Sequence, residues 1–244
     1  MRRAGALVVA AIAVLSASCG GSGPAGGGNS PTVFAASSLT EAFRRLDPRA
    51  RFQFAGSDEL ASQIEDGAPA DVYAAASPKY ADELHAAGLV ERPRVFATNT
   101  LVIVVPSDDP AAIDSLADLG RAGTKVVIGA KGVPIGDYTR ALLGRLHERA
   151  VLSNVVSEEQ DVKGVLAKVA SGDADAGFVY ATDAKAAGGD VSTIRIPSAA
   201  QPTVEYRIAV VAHAKHPSAA RSFVALVLST RGRAALRAAG FGLP

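Results

Sequence analysis

Cysteine occurs once in this chain of 244 residues. A single cysteine excludes an internal disulfide framework and any zinc or iron–sulfur site built on several cysteines. An excess of either charge is missing as well: 25 Lys and Arg stand against 24 Asp and Glu, a net +1. Without a broad positive field the chain has little to hold a polyanion, which argues against a non-specific nucleic-acid binder. There is no G-x-x-x-x-G-K-[ST], so the chain does not itself hydrolyse ATP. Nor is there the G-x-S-x-G elbow that a serine hydrolase would use. What is present is 48% hydrophobic and 20% charged residues, a balance that excludes a wholly disordered chain. The length allows one or two domains.

The position of the lone cysteine is informative. Met1-Arg2-Arg3, an apolar run from Ala4 to Leu15 and the small residues Ser16-Ala17-Ser18 before Cys19 follow the order of an export signal. The run is shorter than the about 20 residues that cross a bilayer, which disfavours a permanent anchor helix. Leu15-Ser16-Ala17-Ser18-Cys19 resembles a bacterial lipobox, with Leu one position further from the cysteine than in the commonest form. By that resemblance residues 1–18 are a lipoprotein signal peptide and Cys19 is the lipid-modified first residue of the mature chain; an ordinary secreted protein is the alternative. Residues 19–30, with Gly20 to Ser30 almost devoid of side chains to bury, are expected to form a flexible tether. Removing Met1 to Ser18 takes two Arg and no acid, leaving the mature chain at −1.

From Thr32 onward, short β-branched or aromatic runs alternate with helical patterns. Strands are expected at Thr32 to Ala35, Arg51 to Ala55, Val72 to Ala75, Leu101 to Val105, Lys125 to Gly129, Ala176 to Tyr180 and Ile208 to Ala212. Between them, Leu39, Ala42, Phe43 and Leu46 repeat at helical spacing, as do Val162, Val165, Leu166 and Val169. This alternation predicts an α/β fold with largely parallel sheets. The run Leu101 to Val105 closes on a Pro-Ser-Asp-Asp-Pro breaker, and a similar run starts at Ile208. The economical organisation is a first lobe over 31–105 completed by 206–244, a second lobe over 106–205, and two extended crossings between them. One large doubly wound domain would give the same string.

Four strand-to-helix junctions are rich in hydrogen-bond donors. In Ala36-Ser37-Ser38-Leu39-Thr40-Glu41, Ser38 with Glu41 has the spacing of a capping box, which sets the Ser38 hydroxyl at a helix N-terminus. Alone, this would be read as a helix cap. The pattern recurs, however, at Phe54-Ala55-Gly56-Ser57 before a helix starting near Leu60. A third junction, Gly129 to Gly136, carries Pro134 near a first helical turn and glycines that would leave backbone N–H groups open. The fourth is Gln160-Asp161-Val162. Helix N-termini pair unsatisfied N–H donors with a positive dipole end and bind anions without a formal cation. In open α/β sheets ligands gather beyond the carboxyl ends of strands. Tyr180, closing its strand, would add a phenol at that edge or simply be a partly buried tyrosine.

At these residues the sequence resembles the periplasmic molybdate-binding proteins of ABC transporters, the ModA family. The pieces are V-F-A-A-S-S-L-T at Val33 to Thr40, F-A-G-S at Phe54 to Ser57, and Q-I-E-D-G-A-P-A-D-V at Gln63 to Val72. Others are N-T-L-V-I-V-V-P at Asn99 to Pro106, G-V-P-I-G at Gly132 to Gly136, Gln160 to Gly164, G-F-V-Y at Gly177 to Tyr180 and the C-terminal Ala239-Gly240-Phe241. The resemblance implies a two-lobed periplasmic-binding-protein fold of type II, with two crossing strands as its hinge. It implies a tetrahedral oxyanion held by the hydroxyl and N–H of Ser38, by Ser57, by the backbone N–H groups of Ile135 and Val162 and by the phenol of Tyr180. The implied protein is an extracytoplasmic, lipid-anchored, non-enzymatic binding component. It would deliver molybdate or tungstate to a membrane permease, with no cofactor, no bound metal cation and no nucleic-acid partner, and act as a monomer. Sulfate or phosphate as the ion, or a secreted hydrolase using Ser38 or Ser57, are the alternatives. Asp58-Glu59, directly after Ser57, depart from the small hydroxylic residues of many relatives; in a first helical turn they are expected to face solvent. His213 and His216 have ligand-like spacing but no evident partner, and His85 and His147 read as solvated.

Overall fold

Two five-stranded sheets organise the computed structural model, which describes residues 30–244. The expected signal peptide, Cys19 and nearly all of the tether lie outside the described residues. The first sheet contains β1 (Thr32–Ala36), β2 (Arg51–Ala55), β3 (Val72–Ala75), β4 (Arg94–Asn99) and β10 (Val204–Val210), in the order β2-β1-β3-β10-β4. The second contains β5 (Leu101–Pro106), β6 (Val126–Gly129), β7 (Val155–Glu159), β8 (Ala176–Tyr180) and β9 (Val191–Arg195), in the order β7-β6-β8-β5-β9. In each sheet three parallel strands are followed by a strand running the other way. The sheets are therefore mixed, where the alternation of elements had predicted largely parallel ones. Helices α1 (Thr40–Leu46), α2 (Ser57–Glu65) and α3 (Pro78–Ala86) belong to the first lobe, and α4 (Pro134–Arg145), α5 (Val162–Ala170) and α6 (Ala181–Ala187) to the second. The C-terminal α7 (Pro217–Leu228) and α8 (Thr230–Ala239) return to the first lobe, against β10 and α1. This is the two-lobed type II architecture of periplasmic binding proteins.

Burial explains which strands sit where. Every residue of β5 and of β8 is buried, as central strands covered on both faces require. The edges β2, β4, β7 and β9 all carry exposed positions, and β2 and β7 have no fully buried residue. In the first lobe, Phe43 of α1 meets Phe223 of α7 edge-on with ring centroids 5.4 Å apart, and Tyr206 of β10 meets Phe241 in the same way at 5.2 Å. Such pairs contribute roughly 0.5–1.5 kcal/mol beyond area burial, and they fasten the C-terminal helices to the lobe that the N-terminus began.

The chain crosses between lobes at Thr100, between β4 and β5, and again between β9 and β10. Leu101 to Val105 was expected in the first lobe; its strand pairs instead with β8 and β9 of the second. A continuous apolar strand needs cover on both faces, and the centre of the second sheet supplies it. The late strand likewise begins at Val204, not Ile208. Gln201 ties the two crossings together: its Oε1 accepts from the Leu101 N–H at 2.8 Å, and its Nε2 donates to the Leu101 carbonyl at 2.8 Å.

Candidate anion site

The carboxyl ends of β1, β2, β6 and β8 converge on one cleft between the lobes. Ser38, Ser57, Ile135, Val162 and Tyr180 all line it. The space, counted with its open mouth, is about 210 Å³, below the roughly 300–1,000 Å³ of pockets for drug-sized ligands. Its size suits a small ion. No Lys, Arg or His is among the lining residues, and the one acid there, Asp161, caps α5 by accepting from the Gly164 N–H at 2.9 Å. The positive potential available to a ligand is that of helix ends.

Each donor is presented by a different local device. Ser57 and Val162 are the first residues of α2 and α5, and Ile135 the second of α4, so their N–H groups have no intrahelical acceptor. The tight seating of α4 depends on Gly136. A Cβ there would lie 2.2 Å from the carbonyl oxygens of both Gly129 and Ala130, so only glycine lets the helix start this close to the end of β6. The glycines do not all leave open donors, however: the Gly132 N–H is taken by Asp137 Oδ1 at 2.9 Å.

Ser38 is not the helix cap its spacing suggested. Ser37–Leu39 form a short 3-10 turn ahead of α1, and Glu41 is exposed beside Arg45. Inside that turn the hydroxyl cannot reach back to cap α1; Ser38 Oγ lies 2.8 Å from the Tyr206 phenol oxygen. Ser57 Oγ accepts from the Ala76 N–H at 3.0 Å. Tyr180 is buried and its phenol oxygen has no partner among the described residues. Burial pushes that phenol well above the usual tyrosine range, so it keeps its proton and can donate.

Asp58 and Glu59 divide. Glu59 is exposed and accepts from Gln63 Nε2 at 3.0 Å, as expected. Asp58 is half-buried, with Oδ1 shielded and without a partner. Burial, aided by the negative charge of Asp137, raises its carboxyl above the ordinary value. It does not line the cleft. Behind Tyr180 lies a second buried acid, Asp183. Burial raises its carboxyl to about 6 against the attraction of Lys163, whose Nζ is 3.3 Å away. His216, thought to lack a partner, has its Nδ1 3.0 Å from Asp71 Oδ2. That pair sits at the opposite end of β1, where Asp71 also accepts from the Thr32 N–H. No group of three or more metal-ligating side chains occurs among the described residues.

Residues 31–242 match the family described as bacterial extracellular solute-binding proteins. The molybdate-binding protein ModA of Mycobacterium tuberculosis is 41% identical over 253 aligned positions, covering 98% of this chain and 95% of that protein. The chain belongs to the ModA family. Within it, the fold is close to that of the periplasmic molybdate-binding protein of Azotobacter vinelandii, with a TM-score of 0.78 at 19% identity over 88% of this chain and 99% of the other. The sulfate-binding protein SubI of Mycobacterium tuberculosis shares the fold too, with a TM-score of 0.74 at 18% identity over 88% and 86%. Fold alone therefore does not select the ion. Membership leaves the individual donors of the cleft to be argued from their geometry. Tyr206, Asn99 and Asp183, which back the site, were not singled out from the sequence. Asn99 stood only as the first letter of a motif, and a tyrosine in an alternating strand carries no signal of its own.

Proposed function

We propose that the protein is the extracytoplasmic solute-binding component of a molybdate ABC transporter, closing its lobes on molybdate or tungstate and passing the ion to a membrane permease. The observation that carries this reading is one small cleft lined from both lobes by uncharged donors. Ser38 and Ser57 come from the first lobe, and Ile135, Val162 and Tyr180 from the second. Because both lobes donate to one ion, binding favours the closed form by its differential affinity for it. A cleft dominated by donors, with its one carboxylate capping α5 through Oδ1, suits an oxyanion that has lost its protons and disfavours hydrogen phosphate, whose proton needs an acceptor. Neither serine has a histidine or carboxylate bonded to it among the described residues, which supports binding over hydrolysis. Attachment through a lipid on Cys19 and action as a monomer complete the proposal.

Calorimetric titration of the mature protein with molybdate, tungstate, sulfate and phosphate tests it. Tight binding of the first two is expected. Tight binding of sulfate or phosphate, with none of molybdate, would overturn the ligand assignment.

A further inference from the structure

A row of buried polar side chains runs behind the cleft from one lobe to the other: Thr182, Asn99, Tyr206 and Ser38. Asn99 Nδ2 donates to Thr182 Oγ1 at 2.9 Å and to the Tyr206 phenol oxygen at 3.4 Å. That oxygen is in turn 2.8 Å from Ser38 Oγ. Asn99 ends β4 at the first crossing, Tyr206 lies on β10, and Thr182 is in α6 of the second lobe.

The direction of each proton follows by elimination. The Thr100 N–H donates to Asn99 Oδ1 at 2.9 Å, which fixes the amide's orientation and leaves Nδ2, a donor only, facing Tyr206. Burial, reinforced by the charge of Asp183, keeps the Tyr206 phenol protonated. Its proton has one acceptor within reach among the described residues, Ser38 Oγ. Were Ser38 able to give its proton to Tyr206, the serine would offer the cleft lone pairs only. That arrangement would also leave the buried Tyr206 proton without an acceptor, which favours the opposite order, with Tyr206 donating to Ser38 Oγ and the Ser38 proton free for the cleft. Ser57 is ordered in the same sense, since the Ala76 backbone N–H that it accepts from cannot reverse.

We propose that Tyr206 is a positioning residue that makes Ser38 an obligate hydrogen-bond donor. With the Ala76 N–H behind Ser57, it thereby selects fully deprotonated tetrahedral oxyanions over those that retain a proton. This rests on the oxyanion reading given above.

The test is a set of binding titrations with molybdate and hydrogen phosphate on the parent, Tyr206→Phe, Ser38→Ala, Ser57→Ala and the double variants pairing Tyr206→Phe with each serine change. Phenylalanine keeps the ring that packs edge-on against Phe96, Tyr180 and Phe241. Tyr206→Phe is expected to weaken molybdate binding about fivefold or more and to narrow the preference over hydrogen phosphate. It should add no loss once Ser38 is alanine, yet multiply with Ser57→Ala. An equal loss with and without the Ser38 hydroxyl, or no loss at all, overturns the proposal. Neutron diffraction from deuterated parent crystals reads the same order without a variant. A deuteron on the Tyr206 phenol aimed at Ser38 Oγ supports the proposal, and a Ser38 deuteron aimed at Tyr206 overturns it. If the parent binds no oxyanion, the function assignment falls, while the neutron result still decides the proton order.

Discussion

Gly56 is the point at which lobe closure can be tested by adding one methyl group. Its φ of −59° and ψ of 143° are open to any residue, so alanine adopts them without backbone strain. Its Cβ, however, would lie 2.6 Å from the Gln160 carbonyl oxygen and 2.7 Å from Asp58 Oδ1, where ordinary contact begins at 3.4 Å. The Asp58 carboxylate is in the same lobe and can rotate away. The Gln160 carbonyl is backbone of the opposite lobe, two residues before α5, and moves only if the lobes part. Overpacking of this kind costs roughly 1–3 kcal/mol, and here it falls on the closed form alone. Gly56→Ala should therefore weaken molybdate binding roughly 5- to 150-fold. The thermal midpoint of the ligand-free protein should change by no more than about 2 °C. Calorimetric titration beside thermal unfolding measures both. A well-folded variant with unchanged affinity would refute the reasoning, because the bound lobes could not then approach as closely as they do in this structure.

Other outcomes follow from single residues. Ser38→Ala and Ser57→Ala should each weaken molybdate binding by roughly 1–3 kcal/mol, the cost of losing a donor to a charged group; unchanged calorimetric affinity in both would place the site elsewhere. Asp183 titrates near 6 in the folded protein, against 3.8 for an ordinary aspartate. The folded state therefore binds more protons between those values, and stability falls as pH rises through the window and levels above it. Asp183→Asn should flatten that fall, measured by denaturant unfolding from about pH 4 to 7.5; parallel profiles for parent and variant would refute this. Asp71→Ala removes the acceptor of the Thr32 N–H, the His216 N–H and the His216 ring. It should destabilise the fold by roughly 2–4 kcal/mol while leaving molybdate affinity of the folded protein intact, since it lies at the end of β1 away from the cleft.

Most of the architecture was legible because central strands must be apolar and helices amphipathic. The strands that escaped, β4, β7 and β9, are all sheet edges. An edge is half solvated, so Arg94, Glu158 and Arg195 interrupt the apolar pattern without interrupting the ladder. The parallel direction was overread for a related reason: a buried strand such as β5 has the same composition whichever way it runs. The five cleft residues were legible as strand-to-helix junctions, where glycine, proline, serine and aspartate mark turn chemistry locally. The row behind them was not. Asn99, Thr182 and Tyr206 are brought together across 107 residues of chain at the longest of their bonds, and only the tertiary fold makes them neighbours.

The placement of β10 also sets an order of assembly. It lies between β3 and β4, joining them as the antiparallel neighbour of both, so the first sheet stays in two pieces until Val204–Val210 has been synthesised. The second sheet, drawn from Leu101 to Arg195, is complete before that. As the chain emerges, the lobe that starts first must therefore finish last, waiting on contacts far apart in sequence, whose slow closure governs folding speed. Completing that lobe also places Tyr206 behind Ser38. The cleft thus acquires its donor order only when the whole chain has arrived.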